Sequence, residues 1–104
     1  MNERIEKLNQ FLAQNPNDCF LNHALALEHI KIGNEDKAKI LFEKNLSFDV
    51  NYVATYYHLG KLLERLNQSN DAINIYERGM KVAKQIGDQH TYNEIQAAYE
   101  DLVY

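Results

Sequence analysis

Four histidines and one cysteine are the side chains of this sequence best suited to metal binding or nucleophilic attack. His23, His29, His58 and His90 include no pair spaced four residues apart and no His-Glu-x-x-His pattern, which a zinc site on a helix would show. Cys19 would need a neighbouring base to act as a nucleophile, and a lone cysteine is typical of a small buried hydrophobic side chain. We expect His29 to fill part of a core position and the other three histidines to lie on the surface.

Motifs of other active sites are absent from the sequence as well. It contains no glycine-rich phosphate-binding loop, no Gly-x-Ser-x-Gly turn and no Cys-x-x-Cys pair. Mixed-charge runs such as ERIEK and NEDKAK are typical of solvated helix faces. The sequence therefore predicts no enzyme, no metal site and no cofactor.

Composition and charge exclude several further classes of protein. The chain has 104 residues, 45% of them hydrophobic and 25% charged, which suits one globular domain. Four glycines and one proline are too few for the turns of an all-β fold. A net charge of −4 without a lysine or arginine cluster argues against binding to nucleic acid or to an anionic membrane.

The sequence also favours a soluble, cytoplasmic protein. A single cysteine cannot form an intrachain disulfide, which fits a reducing compartment. The amino-terminal segment MNERIEKLNQFLAQNP has no continuous apolar core of a secretory signal. No run approaches the roughly 20 apolar residues that a membrane-spanning helix needs.

Apolar residues recur at helical spacing along the chain and predict an all-α protein. The six predicted helices cover residues 3–14, 18–32, 35–48, 52–66, 70–86 and 89–103. Asn17 or Asp18 can cap the second helix, Gly87 closes the fifth, and Thr91 and Glu94 have capping-box spacing for the last. The fourth begins with YVATYYHLG, which alone also fits a strand, but leucines at helical spacing follow it. Short connections predict antiparallel packing of successive helices.

Two segments, AKILFEKN and AINIYERG, each place an alanine four positions before a large aromatic residue. Ala38 and Ala72 are 34 residues apart, and so are Phe42 and Tyr76. The same offset pairs Leu25 with Leu59, Ala26 with Gly60, and Leu46 with Met80. Small residues at a helix crossing let two backbones approach closely, and the aromatic residue one turn later fills the space where the helices diverge. The pattern predicts tight crossings at Ala26/Ala38 and Gly60/Ala72, and hence stacked helical hairpins.

This period and these steps resemble the tetratricopeptide repeat (TPR), whose unit is a helix–turn–helix of the same length. The second repeat resembles it best, with Tyr56, Leu59, Gly60 and Leu63 in the first helix and Ala72-x3-Tyr76 in the second. The resemblance implies TPR-type antiparallel hairpins in an α-α superhelix. It divides the single domain into a half repeat (1–16), two full repeats (17–50 and 51–86) and a capping helix (87–104).

The last helix matches another first helix at an offset of 36 residues, with Tyr92, Ile95 and Tyr99 in the large positions. Gln96 stands where Ala26 and Gly60 are small. A polar residue is expected there when no second helix has to approach closely, and a capping helix needs a polar outer face.

In the TPR family, the first helices of the repeats line a concave groove that accepts an extended peptide or a partner's helix. The resemblance therefore implies a non-catalytic protein-interaction module with a protein or peptide partner of unknown identity. Transferred by register, the groove residues are Phe20, His23, Leu27, Ile30, Lys31, Tyr57, Lys61, Glu64, Arg65 and Asn93. This surface grades from apolar to charged, which suits a segment with a hydrophobic anchor and a few ionic contacts.

A homodimerising structural or scaffold protein is the alternative function. The second helix is apolar nearly all round, and such a helix is either buried on several sides or lies at an interface. In a twofold dimer, Phe20, Leu27 and Ile30 would meet the same patch of a second chain.

Overall fold

The computed structural model describes residues 2–104 and confirms the all-α prediction in that range. Its six helices are α1 (Glu3–Gln14), α2 (Cys19–Lys31), α3 (Glu35–Phe48), α4 (Ala54–Arg65), α5 (Ser69–Ile86) and α6 (Gln89–Val103). Residues 54–60 of the segment YVATYYHLG belong to α4 rather than to a strand, because the leucines that follow supply a buried helical face, and Tyr52 and Val53 precede the helix.

Local side-chain caps start several of these helices. The Asp18 carboxylate accepts a hydrogen bond from the Leu21 backbone N–H at 2.9 Å, which selects Asp18 over Asn17 as the α2 cap. Gly87 ends α5 with a left-handed φ of 77°, as glycine readily allows. The capping box predicted at Thr91 is wrong. The cap is Asp88, whose Oδ1 accepts from the Thr91 N–H at 3.0 Å and whose Oδ2 accepts from the Thr91 hydroxyl.

The chain divides into two compact units, one ending at Asp49 and the other running from Val50 to Tyr104. In the first unit, α2 packs against both α1 and α3. Its apolar core consists of Leu8, Ala24, Leu25, Ala26, Ala38, Leu41, Phe42 and Leu46. Leu8 is the α1 residue in the position that Phe42 holds on α3, one repeat length further on.

In the second unit, α5 packs against both α4 and α6, and α4 also contacts α6. Its buried apolar residues are Val53, Tyr56, Leu59, Leu62, Leu63, Ala72, Tyr76, Ala83, Ile95 and Ala98. A Cβ atom on Gly60 would lie 2.1 Å from the Tyr76 ring, so glycine is required where α4 and α5 touch. A Cβ atom on Gly79 would lie 2.5 Å from Cβ of Tyr56, a second close approach that the sequence pattern did not reveal.

One buried carboxylate joins α1 to α2. Lys31 Nζ donates to Glu28 Oε2 at 3.0 Å, and Arg4 Nε of α1 lies 3.3 Å from the same oxygen. The Glu28 side chain is only 9% exposed, whereas both cations extend into solvent. The hydrogen bond from Lys31, together with the charges of Lys31 and Arg4, lowers the pKa of Glu28 despite the opposing effect of burial.

The lowered pKa of Glu28 makes part of the stability dependent on pH. A carboxyl group whose pKa is depressed in the folded state stabilises the fold above its unfolded pKa, near 4.5 here. That stabilisation is lost as pH falls through the folded pKa. We therefore expect Glu28→Gln to be less stable than the parent at neutral pH, and the difference to shrink as pH falls below 4.5. Urea unfolding over a pH series measures this, with the exposed Glu43→Gln of α3 as control. Parallel stability curves for parent and Glu28→Gln would contradict the assignment.

Candidate partner-binding site

The α2 stripe consists of Phe20, Leu27, Ile30 and Lys31 and runs along one side of α2. Phe20 is 66% exposed, Leu27 and Ile30 are half-buried, and Lys31 is exposed. The opposite side of the same helix is buried against α1 and α3. The stripe thus presents an apolar strip that ends in a cation, within the first unit alone.

His23 was predicted to lie on the surface and to line the groove beside this stripe, but the structure buries it to 8% exposure. Its ring centroid lies 5.4 Å from that of Phe42 of α3, in a tilted arrangement. The surface prediction is therefore wrong, because the ring packs against the core aromatic residue of the neighbouring helix. His29 is buried as expected, and burial, followed by the charge of Lys37, lowers its pKa.

The α4 cluster consists of Tyr57, Lys61, Glu64 and Arg65, on the corresponding side of α4 in the second unit. The buried Tyr76 of α5 donates its hydroxyl hydrogen bond to Glu64 Oε2, and Lys61 Nζ lies 3.8 Å from that oxygen. Burial, the hydrogen bond to Glu64 and the negative charge of Glu64 raise the pKa of Tyr76. The phenol therefore stays protonated and remains a hydrogen-bond donor. Glu64 therefore serves structure as well as surface charge, a role that the sequence pattern did not indicate.

His58 is a half-buried residue beside the α4 cluster that the predicted groove set left out. Its ring packs edge-on against Tyr57 with centroids 5.3 Å apart. Burial and the charge of Arg65 lower its pKa, while the carboxylate of Glu94 on α6 opposes them. Its position in the repeat could have indicated His58, because it lies one repeat length after Ala24, which flanks the α2 stripe.

On α6, the predicted groove residue Asn93 is exposed and accepts a hydrogen bond from Gln89 Nε2 at 2.7 Å. The exposed charges of this helix are all carboxylates, Glu94, Glu100 and Asp101. Within the second unit, the cations of the α4 cluster and the carboxylates of α6 thus lie on contacting helices.

Cys19 is half-buried at the start of α2, and Asn45 of α3 donates from Nδ2 to its carbonyl oxygen at 3.0 Å. Burial, with the charges of Asp49 and Asp18, raises the pKa of the Cys19 thiol. A raised pKa reduces the thiolate fraction on which nucleophilic attack depends. Within residues 2–104, no group of three or more His, Cys, Asp or Glu side chains is arranged to hold a metal ion.

Residues 2–104 include no helix long and apolar enough to cross a membrane. A sequence profile described as tetratricopeptide repeat matches residues 53–86, which contain α4 and α5. A comparison with curated protein sequences gave no match.

Solved structures similar to this chain include TPR domain proteins. A crystal structure of one from Salinibacter ruber is 46% identical, with a TM-score of 0.78, over 82% of this chain and 94% of that one. A solution structure of a TPR domain protein from the same organism is 45% identical, with a TM-score of 0.81, over 85% of this chain and 89% of that one. The translocator chaperone SycD of Yersinia enterocolitica, at 10% identity, shares the fold with a TM-score of 0.84 over 94% of this chain and 68% of its own. Taken with the repeat register and the paired helices, these similarities show that the chain belongs to the tetratricopeptide repeat family.

Proposed function

We propose that this protein is a non-catalytic interaction module whose α2 stripe binds an apolar segment, a helix or an extended peptide, of a protein partner. The observation that carries the proposal is the 66% exposure of Phe20 on a helix whose other side is buried. A large exposed aromatic residue beside two half-buried aliphatic side chains is typical of a binding hot spot. The family context supports it, since TPR proteins are generally interaction modules without catalytic activity.

The α4 cluster is proposed as a second set of contacts of a different chemical kind. Lys61 and Arg65 carry positive charge, and Tyr57 adds a half-buried aromatic ring with a polar end. Exposed charges of this kind mainly set specificity and association rate, whereas buried apolar anchors carry affinity. We also propose a cytoplasmic location, which suits a chain with one cysteine.

Affinity capture from an extract of the native cell tests the assignment of the two surfaces. We expect Phe20→Ser/Leu27→Ser to reduce the recovery of a specific partner by about tenfold or more. We expect Tyr57→Ala/Lys61→Ala/Arg65→Ala to cause a smaller loss that diminishes further as salt is added.

The matched control is Ile40→Ser/Phe48→Ser, which removes two apolar side chains of α3 that are 60% and 41% exposed. This control should leave recovery unchanged, because neither residue belongs to the α2 stripe. Equal recovery by the stripe variant and by the parent would reject the proposed surface.

Self-association through the α2 stripe is the second candidate function, favoured by the same exposure of Phe20. It predicts a closed twofold dimer whose dissociation constant rises in Phe20→Ser/Leu27→Ser. Sedimentation of the parent and of this variant decides between the two, because self-association that is unchanged in Phe20→Ser/Leu27→Ser leaves the stripe to a different protein.

A further inference from the structure

One face of α1 is exposed to solvent, whereas the corresponding face of α5 is buried. On α5, Ala72 and Gly79 are buried, and Gly79 approaches Tyr56 of α4. Two repeat lengths earlier, α1 has Arg4 and Phe11 in these positions, with side-chain exposure of 62% for Arg4 and 55% exposure for Phe11. The α1 open face is the shallow hollow lined by Glu3, Arg4, Lys7, Leu8 and Phe11.

α6 has the register of the first helix of a repeat, and it too leaves a face partly exposed. On α4, Tyr56 and Gly60 approach the second helix of the repeat and are buried, and Leu63 is buried as well. The residues of α6 in the same register positions remain half-exposed. This α6 open face consists of Tyr92, Gln96, Tyr99 and Val103.

We propose that the α6 open face of one copy packs on the α1 open face of a second copy, so that the two helices together complete a repeat. Charged side chains beside the two faces favour this occupant. The α1 hollow presents Lys7 and one carboxylate, Glu3, together with Arg4, whose Nε also lies 3.3 Å from Glu28 of α2. The sequence of α6 contains Glu94, Glu100 and Asp101 but no lysine or arginine. At 100° per residue, Glu100 borders the α6 open face, whereas Glu94 and Asp101 lie on the opposite side of α6. Glu100 can therefore pair with Lys7 of the second copy, and the three carboxylates disfavour pairing of α6 with α6.

The register also indicates which side chains meet. Gly79 of α5 approaches Tyr56 of α4, and Phe11 and Tyr92 hold the corresponding positions on α1 and α6. An aromatic pair of this kind prefers offset or edge-to-face contact. Arg4 and Gln96 replace residues that are small within the complete repeats, so the helices must cross at a wider distance. The wider crossing makes the contact weaker than one inside a repeat, as a reversible association requires.

A contact between two different faces has a consequence that a twofold dimer lacks. A dimer formed by one such contact keeps an unused α1 face on one copy and an unused α6 face on the other, so assembly continues beyond the dimer unless the rotation closes a ring. If one variant has a disabled α1 face and a second variant has a disabled α6 face, their mixture can form only one kind of contact. In that contact, the α6 face of the first variant packs on the α1 face of the second.

Sedimentation velocity of the full chain tests this arrangement, at concentrations up to about 1 mM because the contact is weak. Phe11→Asp adds a carboxylate to the α1 face, and Gln96→Lys adds a cation to the α6 face. We expect the parent to form species larger than a dimer, each variant alone to be monomeric, and an equimolar mixture to form a dimer and nothing larger. Lys7→Glu, which reverses an exposed charge without touching the core, should weaken assembly in the same direction.

The matched control is Ile40→Asp on α3, an apolar-to-acidic change at a residue 60% exposed, which should assemble like the parent. Thermal unfolding by circular dichroism verifies that every variant is folded. A parent that stays monomeric or stops at a dimer would overturn the proposal. So would a mixture of folded Phe11→Asp and Gln96→Lys chains that remains monomeric.

Discussion

Replacement of Gly60 with alanine should destabilise the protein by about 3 kcal/mol, at the upper end of the cost of overpacking. The new Cβ atom would lie 2.1 Å from Cε1 of Tyr76 and 2.6 Å from its Cδ1 and Cζ atoms. The Tyr76 ring is fully buried, and its hydroxyl hydrogen-bonds Glu64. The ring therefore has no direction in which to withdraw without losing packing or that hydrogen bond.

The same substitution should change sign once the tyrosine ring is removed. In a Tyr76→Ala background the clash is absent, and alanine is favoured over glycine inside a helix by about 1 kcal/mol. We therefore expect Gly60→Ala to stabilise Tyr76→Ala while it destabilises the parent, as measured by urea unfolding of all four chains.

Gly79→Ala is the control for this cycle. Its Cβ atom would meet Cβ of Tyr56 at 2.5 Å rather than the Tyr76 ring, so its cost should persist in the Tyr76→Ala background. An equal penalty for Gly60→Ala in both backgrounds would show that contact with Tyr76 is not why residue 60 is glycine.

Truncation of Phe42 to alanine is the second large effect, expected to cost about 3–5 kcal/mol as a buried aromatic residue. Phe42 is fully buried in the first unit, and the His23 ring packs against it at a centroid distance of 5.4 Å. The cavity would lie between α2 and α3. Amide hydrogen exchange should therefore show the loss of protection in those two helices, and chemical unfolding should give its magnitude.

Phe48→Ala on the same helix is the matched comparison. Phe48 is 41% exposed, and its ring contacts the Lys44 ammonium group at 5.5 Å from the centroid. Its truncation should cost about 1 kcal/mol or less, since an exposed cation–π contact is weak. Similar losses from Phe42→Ala and Phe48→Ala would contradict the buried role of Phe42.

The sequence by itself determined the number and type of helices, because a buried face must repeat at the period of the helix whatever lies opposite. The pattern of Leu59, Leu62 and Leu63 outweighed the strand-like start of α4 for this reason. The repeat at 34 residues likewise identified Gly60, Phe42 and Tyr76 as packing residues and indicated the family.

Tertiary structure alone decided what each side chain meets. Burial of His23 against Phe42, the hydrogen bond from Tyr76 to Glu64 and the exposure of Phe11 all depend on a neighbouring helix at a particular distance. Helical periodicity assigns a residue to a face, but it carries no information on how completely another helix covers that face. The partner-binding residues stay a prediction for the same reason, since their register follows from the repeat whereas their occupant is a different molecule.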